Sequence, residues 1–139
     1  SHNITKTNSI NEKTVSIKTP NDRYNIIFKE YLKRKFNNKN LKASFIIKTN
    51  ISFNSNETLS VSGLSVLNST KAVVKYSLVD NRSNTLIKSG SITTFPALSS
   101  SSNSLYSNEK SLKHIQERLS QNSANKLYAL IKIILRKLD

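Results

Sequence analysis

From Leu41 to Phe53 the apolar residues fall on every second position: Leu41, Ala43, Phe45, Ile47, Ile51 and Phe53, with Thr49 alone breaking the series. Lys42, Ser44, Lys48, Asn50 and Ser52 take the places between. Successive side chains of a strand point to opposite faces, so this run predicts a long strand with one dry and one wet side. Such a strand belongs in an antiparallel sheet covered on one face and hydrated on the other. Just before it the period is different. Tyr24, Ile27, Phe28, Tyr31, Leu32 and Phe36 follow helical spacing on one stripe, which predicts an amphipathic helix able to supply the cover.

The segment Thr19-Pro20-Asn21-Asp22 has the residues of a helix start: Thr19 or Asn21 as the cap, Pro20 suited to the first turn and Asp22 as an acid that complements the dipole. Lys29, Lys33 and Arg34 lie off the apolar stripe, and Asn37-Asn38 can end the helix. Upstream, Val15 and Ile17 alternate in a short strand from Thr14 to Lys18. Residues 1–12 are expected as a flexible lead, with Ser1-His2 as a tag remnant.

Beyond the long strand, Asn54-Ser55-Asn56 reads as a turn. A further run from Leu59 and Val61 to Leu64 and Val66 shifts phase at Gly63, which predicts a bulge or bend. Ala72, Val74, Tyr76 and Leu78 then alternate with Lys71, Val73, Lys75, Ser77 and Val79. Asp80 to Asn84 forms a turn and Leu86 to Ile92 returns, giving a hairpin. The facing of the return arm stays open, because Leu86 and Ile92 compete with Ile87 and Phe95. Pro96 ends that strand, and Ser99 to Ser104 is a polar loop.

A second helix begins near Glu109 and carries Leu112, Ile115, Leu119, Leu127, Leu130, Ile131, Ile134 and Leu138 on its stripe. Ser120 to Asn125 is weak helix material, so a kink or a local irregularity is expected there. Tyr128, Ile133 and Leu135 widen the apolar face, either for deeper burial or as a candidate partner interface. The order of elements predicts an α+β fold over a single domain, 1–139. It is a two-layer sandwich with a mainly antiparallel four-stranded sheet and two helices packed on one face.

Charge narrows the function. Twenty-two Lys and Arg against eight Asp and Glu give a net charge of +14 and a pI near 10.2, a field that attracts nucleic acid, lipid headgroups or phosphorylated glycolipid. Cysteine is absent, which excludes disulfides and thiolate metal sites. The histidines, His2 and His114, stand alone, and the acids are scattered without an acid/base pair. Gly63 and Gly90 are the only glycines, too few for a phosphate-cradling loop. No catalytic residue, metal site or cofactor is therefore expected, and the chain reads as non-enzymatic. For nucleic acid the charge fits, but the aromatics lie on the dry stripes and no helix-turn-helix or zinc module is present. Phosphate contact alone would have to serve.

The hairpin and the segments after it resemble the LPS-assembly lipoprotein family (LptE), alphaproteobacterial type. The likeness lies in the strand Tyr76-Ser77-Leu78-Val79-Asp80, Gly90 on the return strand, the Ser99 to Ser104 loop, Tyr106, and the long helix through ERLSQNSANKLYALIKIIL. The amino half fits the same order of strand, helix and extended strand. Two departures are the missing lipidated cysteine, expected to precede this sequence, and the polar stretch Asn122 to Asn125. The resemblance implies a lipid-anchored protein at the periplasmic face of the outer membrane. It would plug and help assemble an LPS-exporting β-barrel of the LptD type, and contact LPS or lipid A. Charge and position, rather than the family, make Lys71, Lys75, Arg82 and Lys88 the candidate LPS-binding residues. The alternatives are an accessory lipoprotein of a lipid-transporting ABC system and a basic nucleic-acid-binding domain.

Overall fold

The computed structural model describes residues 14–36, 43–59, 66–96 and 108–138. The expected lead at 1–12, the phase shift at Gly63 and the loop at Ser99 to Ser104 lie outside them. Six elements succeed one another: β1 (Val15–Lys18), α1 (Arg23–Phe36), β2 (Phe45–Leu59), β3 (Val66–Asp80), β4 (Thr85–Thr94) and α2 (Asn108–Arg136). The strands form one sheet in sequence order. β1 runs parallel to β2, while β2–β3 and β3–β4 are antiparallel. Both helices pack against the sheet and each other, so the chain is an α+β two-layer sandwich.

Alternation sets which side is covered. Phe45, Ile47, Thr49 and Ile51 of β2 are buried, as are Ala72, Val74, Tyr76 and Leu78 of β3. They meet Phe28 and Leu32 of α1 and Leu119, Ala124, Leu127 and Ile131 of α2 in one core, which Val15 and Ile17 of β1 extend. At about 25 cal/mol per Å² of apolar surface, burial of this set is the main stabilising contribution. Thr49 keeps its place in the series but its Oγ1 finds no partner among the described residues.

Two expectations are corrected. Asn54-Ser55-Asn56 is not a turn: it pairs with Lys71, Thr70 and Ser69 inside a continuous fifteen-residue strand. Local turn preference yields there to the ladder, which pairs the backbone groups. α2 is one unbroken helix through Ser120 to Asn125. That polar stretch packs onto the sheet. Ser120, Ser123 and Ala124 are buried, and the Ser123 hydroxyl donates to Thr94 Oγ1 at 3.0 Å. Small side chains serve close approach here.

The facing of β4, left open by the sequence, is decided by its register. Leu78 faces Lys88 and Val79 faces Leu86, so Ile87 is an extra residue in a bulge. The bulge resolves the competing phases: Ile87 and Ile92 pack on the core, while Leu86 and Phe95 are exposed.

Candidate functional site

The face of the sheet turned away from the helices is built by the alternate residues. Register aligns them in rows across the strands. Ser16, Ile46, Val79 and Leu86 form one; Lys18, Lys48, Ser77 and Ser89 the next; then Asn50, Lys75 and Ser91. Farther along lie Ser52, Val73 and Thr93, then Asn54 and Lys71. Among the described residues no acid stands on this face.

Lys18, Lys48 and Lys75 surround a shallow cavity of about 370 Å³, completed by Thr19, Pro20, Asn50 and Ser77 and by Thr49 and Tyr76. Neighbouring strands lie about 4.8 Å apart and successive rows about 6.7 Å, so the flexible stems of these lysines can bring their ammonium groups to one anion. All three are exposed and have no ion-pair partner among the described residues. The chemistry available is electrostatic and multidentate: three point charges able to take a phosphate.

One lining residue of this site, Asn50, is tied into a network. Asp22, rather than the expected Thr19 or Asn21, caps α1: its Oδ1 accepts the main-chain N–H of Asn25 at 3.1 Å and its Oδ2 accepts the Asn25 side-chain N–H at 2.8 Å. Asn25 Nδ2 also donates to Asn50 Oδ1 at 3.2 Å, and Asn25 Oδ1 accepts the Ile51 N–H at 2.8 Å. The side-chain hydrogen bond from Asn25, then that from its backbone, holds the Asp22 carboxyl below its ordinary value of 3.8. Asp22 is thereby turned to the helix start.

The residues singled out in the sequence do not gather in one place. Lys71 and Lys75 share the face turned away from the helices, uncovered among the described residues, about 13 Å apart along β3. Lys88 lies opposite Leu78, on the helix side of the sheet and away from Lys71 and Lys75, because the bulge at Ile87 shifts the phase of β4. Arg82 is at the turn, its Nε 3.5 Å from Asp80 Oδ1 and its Cζ 5.7 Å from the ring centre of buried Phe45. The Arg82 backbone N–H, foremost, keeps the Asp80 carboxyl below its ordinary value.

Tyr128 packs edge-on against Phe36 with ring centres 5.0 Å apart, Leu135 is in the core, and Ile133 is exposed. They form no common surface. Lys18 and Lys48 were missed as site residues, since no local pattern announces a parallel β1–β2 pairing.

Two features of the hairpin motif have a structural reason. Tyr76 and Gly90 are cross-strand partners, and a Cβ on Gly90 would stand 3.0 Å from the Tyr76 hydroxyl. Asp80 closes the turn by accepting the Arg82 N–H at 2.9 Å. Among the described residues no cluster of His, Cys, Asp or Glu is suited to a metal, and no helix is long and apolar enough to cross a membrane.

The sequence matches no protein-family model and no curated protein. Solved structures share the fold. A protein of Caulobacter crescentus described as a candidate lipoprotein superposes with a TM-score of 0.63 at 15% identity, covering 92% of this chain and 94% of that one. A minor lipoprotein of Acinetobacter baumannii gives 0.58 at 14% identity, with coverage of 91% and 95%.

Proposed function

We propose that the chain is a non-enzymatic, lipid-anchored protein of the outer membrane that works in LPS assembly. In this reading it plugs and helps assemble an LPS-exporting β-barrel and contacts LPS through the uncovered face of its sheet. The observation that carries it is that face: acid-free among the described residues, bearing Lys18, Lys48, Lys71 and Lys75, with three of them around one cavity. Lipid A phosphates are matched by such an array. The end-to-end likeness to two lipoprotein folds is the second support, and the Tyr76–Gly90 pairing fits the motif by which the sequence resembles the LPS-assembly family.

Titration of the chain with LPS, duplex DNA and phosphatidylglycerol vesicles at rising salt tests the proposal. A preference for LPS that survives physiological ionic strength is the expected result. Equal binding to all three, erased together by salt, would remove the ligand half of the proposal, since non-specific charge attraction behaves in that way.

A further inference from the structure

The uncovered face is not uniformly cationic. Ile46, Val79 and Leu86 stand side by side on β2, β3 and β4. Ile46 and Val79 are half-buried and Leu86 is 57% exposed. Both helices lie on the other side of the sheet, so the core does not account for this apolar row. Directly beside it, one row along, come Lys18 and Lys48, and Lys75 lies one row farther. With rows about 6.7 Å apart, an apolar strip and a three-lysine cavity share a border.

Nucleic acid would use the lysines and leave the strip in water. An apolar peptide would use the strip and leave the charges without partners. A molecule that joins a phosphate to hydrocarbon satisfies both, and the 370 Å³ of the cavity is on the scale of a headgroup rather than of a whole lipid.

We infer that this border is a binding site for a single phosphorylated lipid, with the phosphate on Lys18, Lys48 and Lys75 and the first methylenes of its chains on Ile46, Val79 and Leu86. The inference rests on the uncovered face being the ligand face, and on neither LPS as the lipid nor a barrel as partner. Charge provides capture, and the strip provides discrimination against anions without a chain. Leu86, at the open side of the strip, governs that discrimination.

The test is an amide-shift NMR titration of the full chain with dihexanoyl phosphatidic acid below its micelle concentration, with glycerol 3-phosphate, and with lipid A in detergent. Covering a few methylenes makes dihexanoyl phosphatidic acid bind about tenfold tighter than glycerol 3-phosphate. The shifts concentrate on residues 46–50, 75–79 and 86–89. Leu86→Ser abolishes most of that advantage and leaves glycerol 3-phosphate unchanged, whereas Lys48→Ser weakens both by about fivefold. Both positions are exposed, and the amide spectrum verifies the fold. Equal affinity for the two phosphates, shifts centred elsewhere, or a Leu86→Ser chain that keeps its preference would overturn the site. If phosphatidic acid binds as stated and lipid A does not, the site stands and the LPS reading falls. If lipid A binds with no effect of Leu86→Ser, the opposite holds.

Discussion

The Oδ1 of Asn25 accepts the main-chain N–H of Ile51 at 2.8 Å, at the point where β1 has ended and the edge of β2 continues. One buried side chain from α1 thus takes the place of a missing strand residue. The same amide group ties Asp22 and Asn50 into the arrangement. Helix start, sheet edge and cavity wall are one unit.

Asn25→Ala removes that acceptor and leaves the Ile51 N–H buried without a partner. The cost of such an orphan is about 2 kcal/mol. Urea unfolding should show a loss of that size, and amide exchange of Ile51 should accelerate well beyond that of Val74. A loss under about 0.5 kcal/mol would mean that water replaces the side chain.

Asp22 has a lowered carboxyl pKa in the folded chain, chiefly through the Asn25 side chain. A depressed acid stabilises the fold above its unfolded value of 3.8, and that contribution is lost as pH falls through the lower, folded value. The stability difference between the native chain and Asp22→Ala should therefore be constant near neutrality and shrink below about pH 4. Thermal melts of both chains from about pH 7 to about pH 2.5 check this. A gap that widens in acid would contradict the capping role.

The Tyr76 ring lies over Gly90, where an added Cβ would approach the hydroxyl to 3.0 Å. Gly90→Ala should destabilise the native chain but not a Tyr76→Leu background, where strand propensity favours alanine. A double-mutant cycle should give a coupling of about 1 kcal/mol. Additive effects would show that the ring is free to move aside.

The Thr49 hydroxyl is buried without a hydrogen-bond partner among the described residues. Thr49→Val keeps the shape and removes the orphaned group, so it should stabilise by about 1 kcal/mol in urea unfolding. A loss of stability would show that the hydroxyl has a partner in solution.

Much of the fold was legible because each element carries its own period. The Phe45, Ile47 and Ile51 series and the Phe28 and Leu32 stripe place the core correctly, and burial agrees with them. The parts that escaped were set by partners distant in sequence. The turn expected at Asn54 is overridden by pairing with Lys71. In place of the irregularity expected over Ser120 to Asn125, the helix runs on unbroken and Ser123 packs on Thr94. Asn25 lies among the apolar residues of α1, but its polarity has meaning only once Ile51 is beside it.

The site was legible in part for the same reason. Lys75 is on the wet face by simple alternation, whereas Lys88 is displaced by the bulge at Ile87 and Lys18 joins Lys48 only through the parallel register.

Whether the uncovered side of the sheet is the ligand face is decided by LPS affinity at physiological salt for three chains: the native one, the double variant Lys48→Ser/Lys75→Ser, and Lys88→Ser. The charge change per lysine is the same, but Lys88 is on the opposite side of the sheet. The predicted result is a loss of about tenfold or more for the double variant and a change within about twofold for Lys88→Ser. Undiminished binding by the double variant, or an equal loss with Lys88→Ser, would contradict a ligand face on that side.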